Sequence, residues 1–169
     1  MMANTRKKSP RIGVYPGAFD PITNGHLSLV VRAESLFDRL IVAVAENHEK
    51  QTLFTLEERL DLARKVLSKY SWVSVEKIDG LTAEFAKKKK AVALVRGVRA
   101  VSDFENEFQM ALMNRKLARD VETVFLMPSL SWVFLSSTLV KDVAKNGGDV
   151  STLVPPPVNR ALKKKFASA

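Results

Sequence analysis

The sequence predicts an α/β fold: a single-domain, doubly wound (Rossmann-like) parallel sheet flanked by helices. Three observations carry this expectation. Apolar runs of strand length recur along the chain, segments of helical period lie between them, and the two alternate in order. Unbroken Val, Ile and Leu runs suit strands covered on both faces, as in a parallel sheet, and the strand–helix–strand order implies right-handed crossovers.

From the amino end, residues 1–10 read as a disordered basic arm and residues 11–169 as the α/β domain. The first strand-like run, 12–15, leads through a loop with two prolines and two glycines into an apolar-periodic helix at 27–37. A second run follows at 40–45. Leu56, Leu60, Ala63, Leu67 and Tyr70 then form a helical stripe, and Thr55-Leu56-Glu57-Glu58 is a capping-box pattern that would start that helix. A third run at 72–78 is followed by a helix beginning near Leu81 and extending into Lys87–Lys90.

The fourth run, 91–95, precedes Ser102-Asp103-Phe104-Glu105, which reads as a second capping box. Behind it come Phe104, Phe108, Ala111 and Leu112 at helical spacing. That segment carries Asp103, Glu105 and Glu107 early and Arg115, Lys116 and Arg119 late, the order a helix dipole favours. The last run is 123–127. Gly147-Gly148 should end a helix begun near Ser137, and Pro155-Pro156-Pro157 should open a final short one.

Composition limits the function classes. The 169 residues are 46% hydrophobic and 27% charged, the balance of a globular protein with one sizeable core. A membrane span needs about 18 consecutive apolar residues, far more than any run here, and the amino end lacks the apolar stretch of a signal peptide. A soluble, cytoplasmic protein is the expectation. The absence of cysteine removes disulfides, thiolate metal sites and cysteine nucleophiles, and two histidines argue against a His-built zinc site.

The 27 Lys and Arg against 18 Asp and Glu give a formal charge of +9, which alone would suit nucleic acid, a phosphate-rich ligand or solvated lysines. Its distribution decides between them. Arg6, Lys7, Lys8 and Arg11, then Lys87–Lys90, then Arg160 with Lys163–Lys165 hold twelve of the basic residues and no acid, so the remainder carries a net charge of −3. None of these clusters interleaves with aromatic residues as a nucleic-acid platform would, so no nucleic-acid partner is expected.

In an open parallel sheet, ligands gather at the carboxyl ends of the strands near the switch in strand order. Four segments fall there. In residues 13–26, Gly17 and Gly25 permit close backbone approach, the helix start offers N–H groups to an anion, and His26 is placed to donate to a phosphate oxygen. No Walker Gly-Lys-Ser/Thr and no GxGxxG is present. The bland alternative is a tight turn whose histidine only caps or packs. Arg96-Gly97-Val98-Arg99 follows the fourth run, suited to bidentate phosphate contacts or equally to solvated arginines. Ser136-Ser137-Thr138 supplies three hydroxyls at a helix start, where N-capping and phosphate binding are compatible. Lys50 lies in the polar loop after 40–45 and alone would read as a surface lysine. These parts include no nucleophile–base dyad and no carboxylate cluster; they are hydrogen-bond donors and cations. That equipment suits nucleotidyl transfer, in which one substrate supplies the nucleophile and the protein positions and stabilises.

Residues 17–26, Gly-Ala-Phe-Asp-Pro-Ile-Thr-Asn-Gly-His, resemble the GxFDPxTxGH signature of the bacterial phosphopantetheine adenylyltransferases, in the nucleotidylyltransferase superfamily. The resemblance continues through Phe54-Thr55-Leu56-Glu57-Glu58-Arg59, through residues 96–105, and through residues 132–138 followed by Leu139-Val140-Lys141. It covers residues 11–166, in the family's order and spacing.

The resemblance implies that ATP and 4′-phosphopantetheine give dephospho-coenzyme A and pyrophosphate by in-line attack, with no covalent enzyme intermediate. By position, His26 would stabilise charge on the α-phosphate, and Lys50 and Arg96 would hold the attacking phosphate. Arg99, Ser137 and Thr138 would bind the β- and γ-phosphates. Ala18, Phe19, Gly97, Val98, Glu107 and the Trp132, Val133, Phe134, Leu135, Ser136 loop fall on ATP-binding positions. Ala18 also falls on a substrate-binding position, and Thr82 falls where the family contacts the pantetheine arm. The family uses Mg²⁺ carried by the ATP phosphates rather than by protein ligands, forms homohexamers, and feels feedback from coenzyme A. Position 18 departs from the pattern: Ala stands where the family usually has Thr or Ser, which implies slower or differently tuned catalysis. Asn106, before the ATP-binding glutamate, and Ser136-Ser137-Thr138 in place of a triple serine are the other departures. The enzyme alternative is a small nucleotidylyltransferase acting on nicotinate mononucleotide or a phospho-alcohol, whose HxGH motif this chain lacks.

Overall fold

Five Val- and Leu-rich strands form one parallel sheet in the computed structural model, which describes residues 9–46 and 51–167. The strands are β1 Ile12–Gly17, β2 Arg39–Ala45, β3 Val73–Ile78, β4 Ala93–Gly97 and β5 Glu122–Leu126, in the spatial order β3-β2-β1-β4-β5. Side-chain alternation splits each central strand between two cores. Tyr15, Leu40, Val42, Val44, Ala93 and Val95 enter one core, while Val14, Ile41, Ala43 and Leu94 enter the other. This is why the central runs read as continuously apolar. The edge strands β3 and β5 are only half-buried, because each has a neighbour on one side alone.

The helices are α1 Asn24–Ala33, α2 Leu56–Leu67, α3 Thr82–Lys88, α4 Val101–Leu117, α5 Ser137–Lys145 and α6 Pro156–Ala167. The first core holds Leu29, Val30, Leu60, Ala63, Leu67, Val140, Val158 and Leu162 from α1, α2, α5 and α6; the second holds Ala83, Phe85 and Ala86 from α3. The Thr55 capping box forms as expected: the Glu58 N–H donates to Thr55 Oγ1 at 3.2 Å, and the Thr55 N–H donates to Glu58 Oε2 at 2.8 Å. Gly147 takes a φ of +78° just past α5, which ends that helix as glycine does.

Three expectations are corrected. The helix expected at 27–37 begins at Asn24 and ends at Ala33, because Thr23 caps it and His26 completes the cap three residues on. The Ser102–Glu105 capping box does not form. Ala100 is the cap residue of α4, and Asp103 instead accepts from Arg99. Behind that start the apolar residues of α4 follow at helical spacing, and none of α4 is buried: Phe104 and Phe108 stack on each other at 5.6 Å while remaining exposed. Strand ends differ from the expected ranges by one to two residues, which places Arg96 inside β4 rather than after it. The expected basic arm lies outside the described residues except for its last two.

The chain runs outward through β1, β2 and β3, then crosses to β4 on the other side of β1. The carboxyl ends of β1 and β4 therefore flank the switch in strand order, where an open parallel sheet leaves a crevice.

Candidate active site

A cavity of about 260 Å³ opens at that switch. It is bounded by β1 and the loop behind it, the first turn of α1, the end of β4, and the segment leading into α5. Two helix starts thus face one cavity, with Gly25 and His26 from α1 and Ser136 and Ser137 at α5. Both orient backbone N–H groups and the positive ends of helix dipoles toward it.

The loop after β1 is held by two buried charges. Asp20 is 5% exposed; its carboxylate accepts the Leu53 N–H at 3.0 Å, the Phe54 N–H at 2.9 Å and the Lys141 ammonium at 2.7 Å. Arg59, 2% exposed on α2, donates to the carbonyls of Ala18 at 2.6 Å, Ala45 at 2.8 Å and Phe54 at 3.3 Å. Together they tie the β1–α1 loop to the end of β2, the start of α2 and the first turns of α5. Phe19 sits at a φ of +47° and places its ring edge-on to Tyr15 and His26, with centroids 5.3 and 5.1 Å away. Gly17 leaves room for this arrangement, since a Cβ there would stand 3.0 Å from the Phe19 ring.

His26 is half-buried on the first turn of α1. Its Nδ1 accepts the Thr23 N–H at 2.9 Å, with the Thr23 hydroxyl 3.0 Å away. Burial, and after it the charge of Arg99, push its pKa down to about 4. The ring is therefore neutral near pH 7. With Nδ1 accepting, its proton sits on Nε2, so His26 is a hydrogen-bond donor and not a cation.

Arg96, from β4, engages Glu107 of α4 through Nε and Nη2, both at 2.5 Å, and donates through Nη1 to the Pro16 carbonyl at 3.1 Å. Arg99 donates to both carboxylate oxygens of Asp103, at 3.0 and 3.2 Å, and to the Leu135 carbonyl at 3.1 Å. Hydrogen bonds from Arg99 hold the Asp103 carboxyl below its usual range. Arg99 thus joins the start of α4 to the segment before α5. Burial drives the Tyr15 hydroxyl far above its ordinary pKa, so that group also stays neutral at the cavity wall.

The structure brings His26, Phe19, Arg96, Gly97, Arg99, Glu107, Trp132, Leu135, Ser136 and Ser137 together around the one cavity. Ser136 caps α5 by accepting the Leu139 N–H at 3.1 Å, and the Ser137 hydroxyl donates to the Pro21 carbonyl at 2.8 Å. Thr138, Val133 and Phe134 are exposed and do not line it. The Val98 N–H continues the ladder to Leu126 at 3.0 Å, and Ala18 meets Arg59 through its carbonyl. Gly97 lets α1 pack closely on β4, where a Cβ would come 2.5 Å from Leu29 Cδ1. Thr82 lines a second cavity of about 60 Å³, together with Pro16, Arg96 and Glu107. Lys50 lies outside the described residues.

Three functional supports had no role assigned from sequence: Asp20, Arg59 and Lys141. A signal was available for one of them. Arg59 falls at the apolar positions of α2, three residues after Leu56 and four before Ala63, where a lone charge must be satisfied internally.

Residues 14–143 match the cytidylyltransferase-like family. A phosphopantetheine adenylyltransferase of Desulfotalea psychrophila is 52% identical over 168 residues, covering 98% of this chain and 99% of its own. That of Thermodesulfovibrio yellowstonii is 56% identical over 157 residues, covering 92% and 98%. In fold, the chain is similar to a solved structure described as a nicotinate-nucleotide adenylyltransferase of Vibrio parahaemolyticus. The TM-score is 0.68 at 18% identity, over 91% of this chain and 99% of the other.

Proposed function

The chain belongs to the phosphopantetheine adenylyltransferases, within the cytidylyltransferase-like family, and from this we propose that it transfers AMP from ATP to 4′-phosphopantetheine, giving dephospho-coenzyme A and pyrophosphate. The observation that carries the reading is the meeting of His26, Arg96 and Arg99 with two helix starts in one cavity at the strand switch. The pantetheine phosphate attacks the α-phosphorus in line, so no protein nucleophile is required. The cavity's work is to position two anions and to stabilise the charge that grows between them.

His26 donates from Nε2 to the α-phosphate as its charge rises. Its neutrality lets it strengthen that bond in the transition state without holding the ground-state phosphates as an ion pair would. Arg96 and Lys50 take the attacking phosphate. Arg99 and the start of α5, with Ser137 and Thr138, take the phosphates that leave as pyrophosphate. Glu107, Gly97 and the Trp132 segment bound the ATP side, and Thr82 contacts the pantetheine arm. Mg²⁺ would be held by the ATP phosphates, where it would neutralise charge on the nucleotide. Asp103 and Glu107 are each engaged by an arginine, which favours a metal carried by the substrate.

We also propose a homohexamer in the cytoplasm. In support, α4 exposes Phe104, Phe108, Met110, Leu112, Met113 and Leu117, each 43–54% accessible, and exposed apolar residues clustered on one element suit an interface between subunits. Among the described residues no helix is long and apolar enough to cross a membrane. Coenzyme A shares its pantetheine arm and adenylate with the product, so feedback would act by occupancy of the same cavities.

Incubation with ATP and 4′-phosphopantetheine, following pyrophosphate release, tests the reading. Product with this acceptor, and none with nicotinate mononucleotide or a phospho-alcohol, is the expected result. The reverse pattern overturns it.

A further inference from the structure

We infer that the Arg96–Glu107 ion pair is a closed partition between the acceptor cavity and the phosphate-transfer cavity, which the acceptor phosphate opens by taking the carboxylate's place on Arg96. The inference rests on the proposed function for the identity of the acceptor. The exchange itself applies to any phosphomonoester.

Pro16, Arg96 and Glu107 line both the larger cavity and the smaller one beside Thr82, and they are the residues that the two linings share. The three are bonded to one another. Arg96 spends Nε and Nη2 on the two carboxylate oxygens and Nη1 on the Pro16 carbonyl. A guanidinium has one Nε–Nη2 edge for a bidentate acceptor, and Glu107 fills it. A phosphate reaching Arg96 from the Thr82 side therefore meets an occupied fork and a carboxylate of like charge. Side-chain exposures of 30% for Arg96 and 18% for Glu107 leave the pair reachable from the cavities. A carboxylate is the weaker anion of the two for this fork, since a phosphomonoester carries more charge near neutral pH. Once displaced, Glu107 remains on the wall of the nucleotide cavity. The pair thus differs from Arg99–Asp103, of which only Arg99 lines the transfer cavity and neither residue lines the smaller one.

Glu107→Gln tests this, because the amide keeps the size and one hydrogen bond but removes the competing charge. Wild type and variant are titrated calorimetrically, without ATP, with 4′-phosphopantetheine, with inorganic phosphate, and with pantetheine lacking its phosphate. The variant should bind both phosphate-bearing probes about tenfold more tightly and pantetheine unchanged. Glu107→Ala should move in the same direction. Equal or weaker phosphate binding in Glu107→Gln would make Glu107 an orienting partner of Arg96 and overturn the exchange, as would failure of both proteins to bind inorganic phosphate. If wild type binds inorganic phosphate but not 4′-phosphopantetheine, the proposed function fails, and the phosphate arm still decides the exchange.

Discussion

The backbone N–H of Thr23 donates to Nδ1 of His26 at 2.9 Å, and this single bond decides which ring nitrogen faces the chemistry. The proton is left on Nε2, and the ring is braced by the same contact that caps α1. Replacing His26 with Ala should lower kcat by roughly a hundredfold or more, the loss typical of one donor to a developing oxyanion, while the Kd for ATP changes little. Pre-steady-state turnover beside equilibrium ATP binding separates the two. An ATP affinity that falls as far as turnover does would assign His26 to ground-state binding instead.

The same environment makes stability depend on pH. The pKa of His26 is 6.5 in the unfolded chain and about 4 in the folded one. Between these values the unfolded chain binds a proton that the folded chain refuses, so stability rises with pH across the window. The contribution is fully present above pH 6.5 and is lost as pH falls toward 4. His26→Gln keeps a capping-box side chain without the titration. Urea midpoints should fall from pH 7 to pH 5 more for wild type than for this variant. Identical pH dependence would show that the ring charges freely in the folded protein.

Arg99 holds both Asp103 and the Leu135 carbonyl, so its removal does two things. It takes a cation from the ATP phosphates and leaves the Asp103 carboxylate unpaired beside them. Arg99→Ala should cost about 2 kcal/mol of ATP binding, in the range for hydrogen bonds to charged groups, with a smaller effect on 4′-phosphopantetheine. Adding Asp103→Ala should recover part of the ATP affinity. No recovery would mean that Asp103 does not repel the phosphates.

How far the sequence could be read follows from the kind of signal each element leaves. β1, β2 and β4 were legible because both of their faces are covered, which produces unbroken apolar runs. The start of α1 lies three residues before the apolar period because His26 acts as a capping side chain, a use that the usual Ser–Glu pattern does not reveal. The stripe on α4 was legible as a stripe, but periodicity does not say whether an apolar face is covered by the same chain. Arg96 and Arg99 were recognisable as cations near a strand end. Their carboxylate partners lie eleven and four residues on, and only helix geometry brings those partners back. Asp20 and Lys141 are 121 residues apart, a pairing that no local pattern carries.

That pairing supplies the last expectation. Asp20 is almost fully enclosed, and three donors from two distant elements converge on its carboxylate. Asp20→Ala leaves the Leu53 and Phe54 N–H groups and the Lys141 ammonium without their acceptor. Leaving buried donors without an acceptor costs about 1–3 kcal/mol each. Lys141→Met removes only the cation, and the two backbone donors still satisfy the carboxylate, so its cost should be clearly smaller. The asymmetry identifies Asp20 as the node and Lys141 as one spoke. Because the node fixes the Phe19 loop against His26, turnover should fall in Asp20→Ala at temperatures where the variant is still folded. Chemical denaturation of the two single variants and the double variant checks the order. A Lys141→Met cost as large as that of Asp20→Ala would show that the ion pair, rather than the backbone donors, holds the loop.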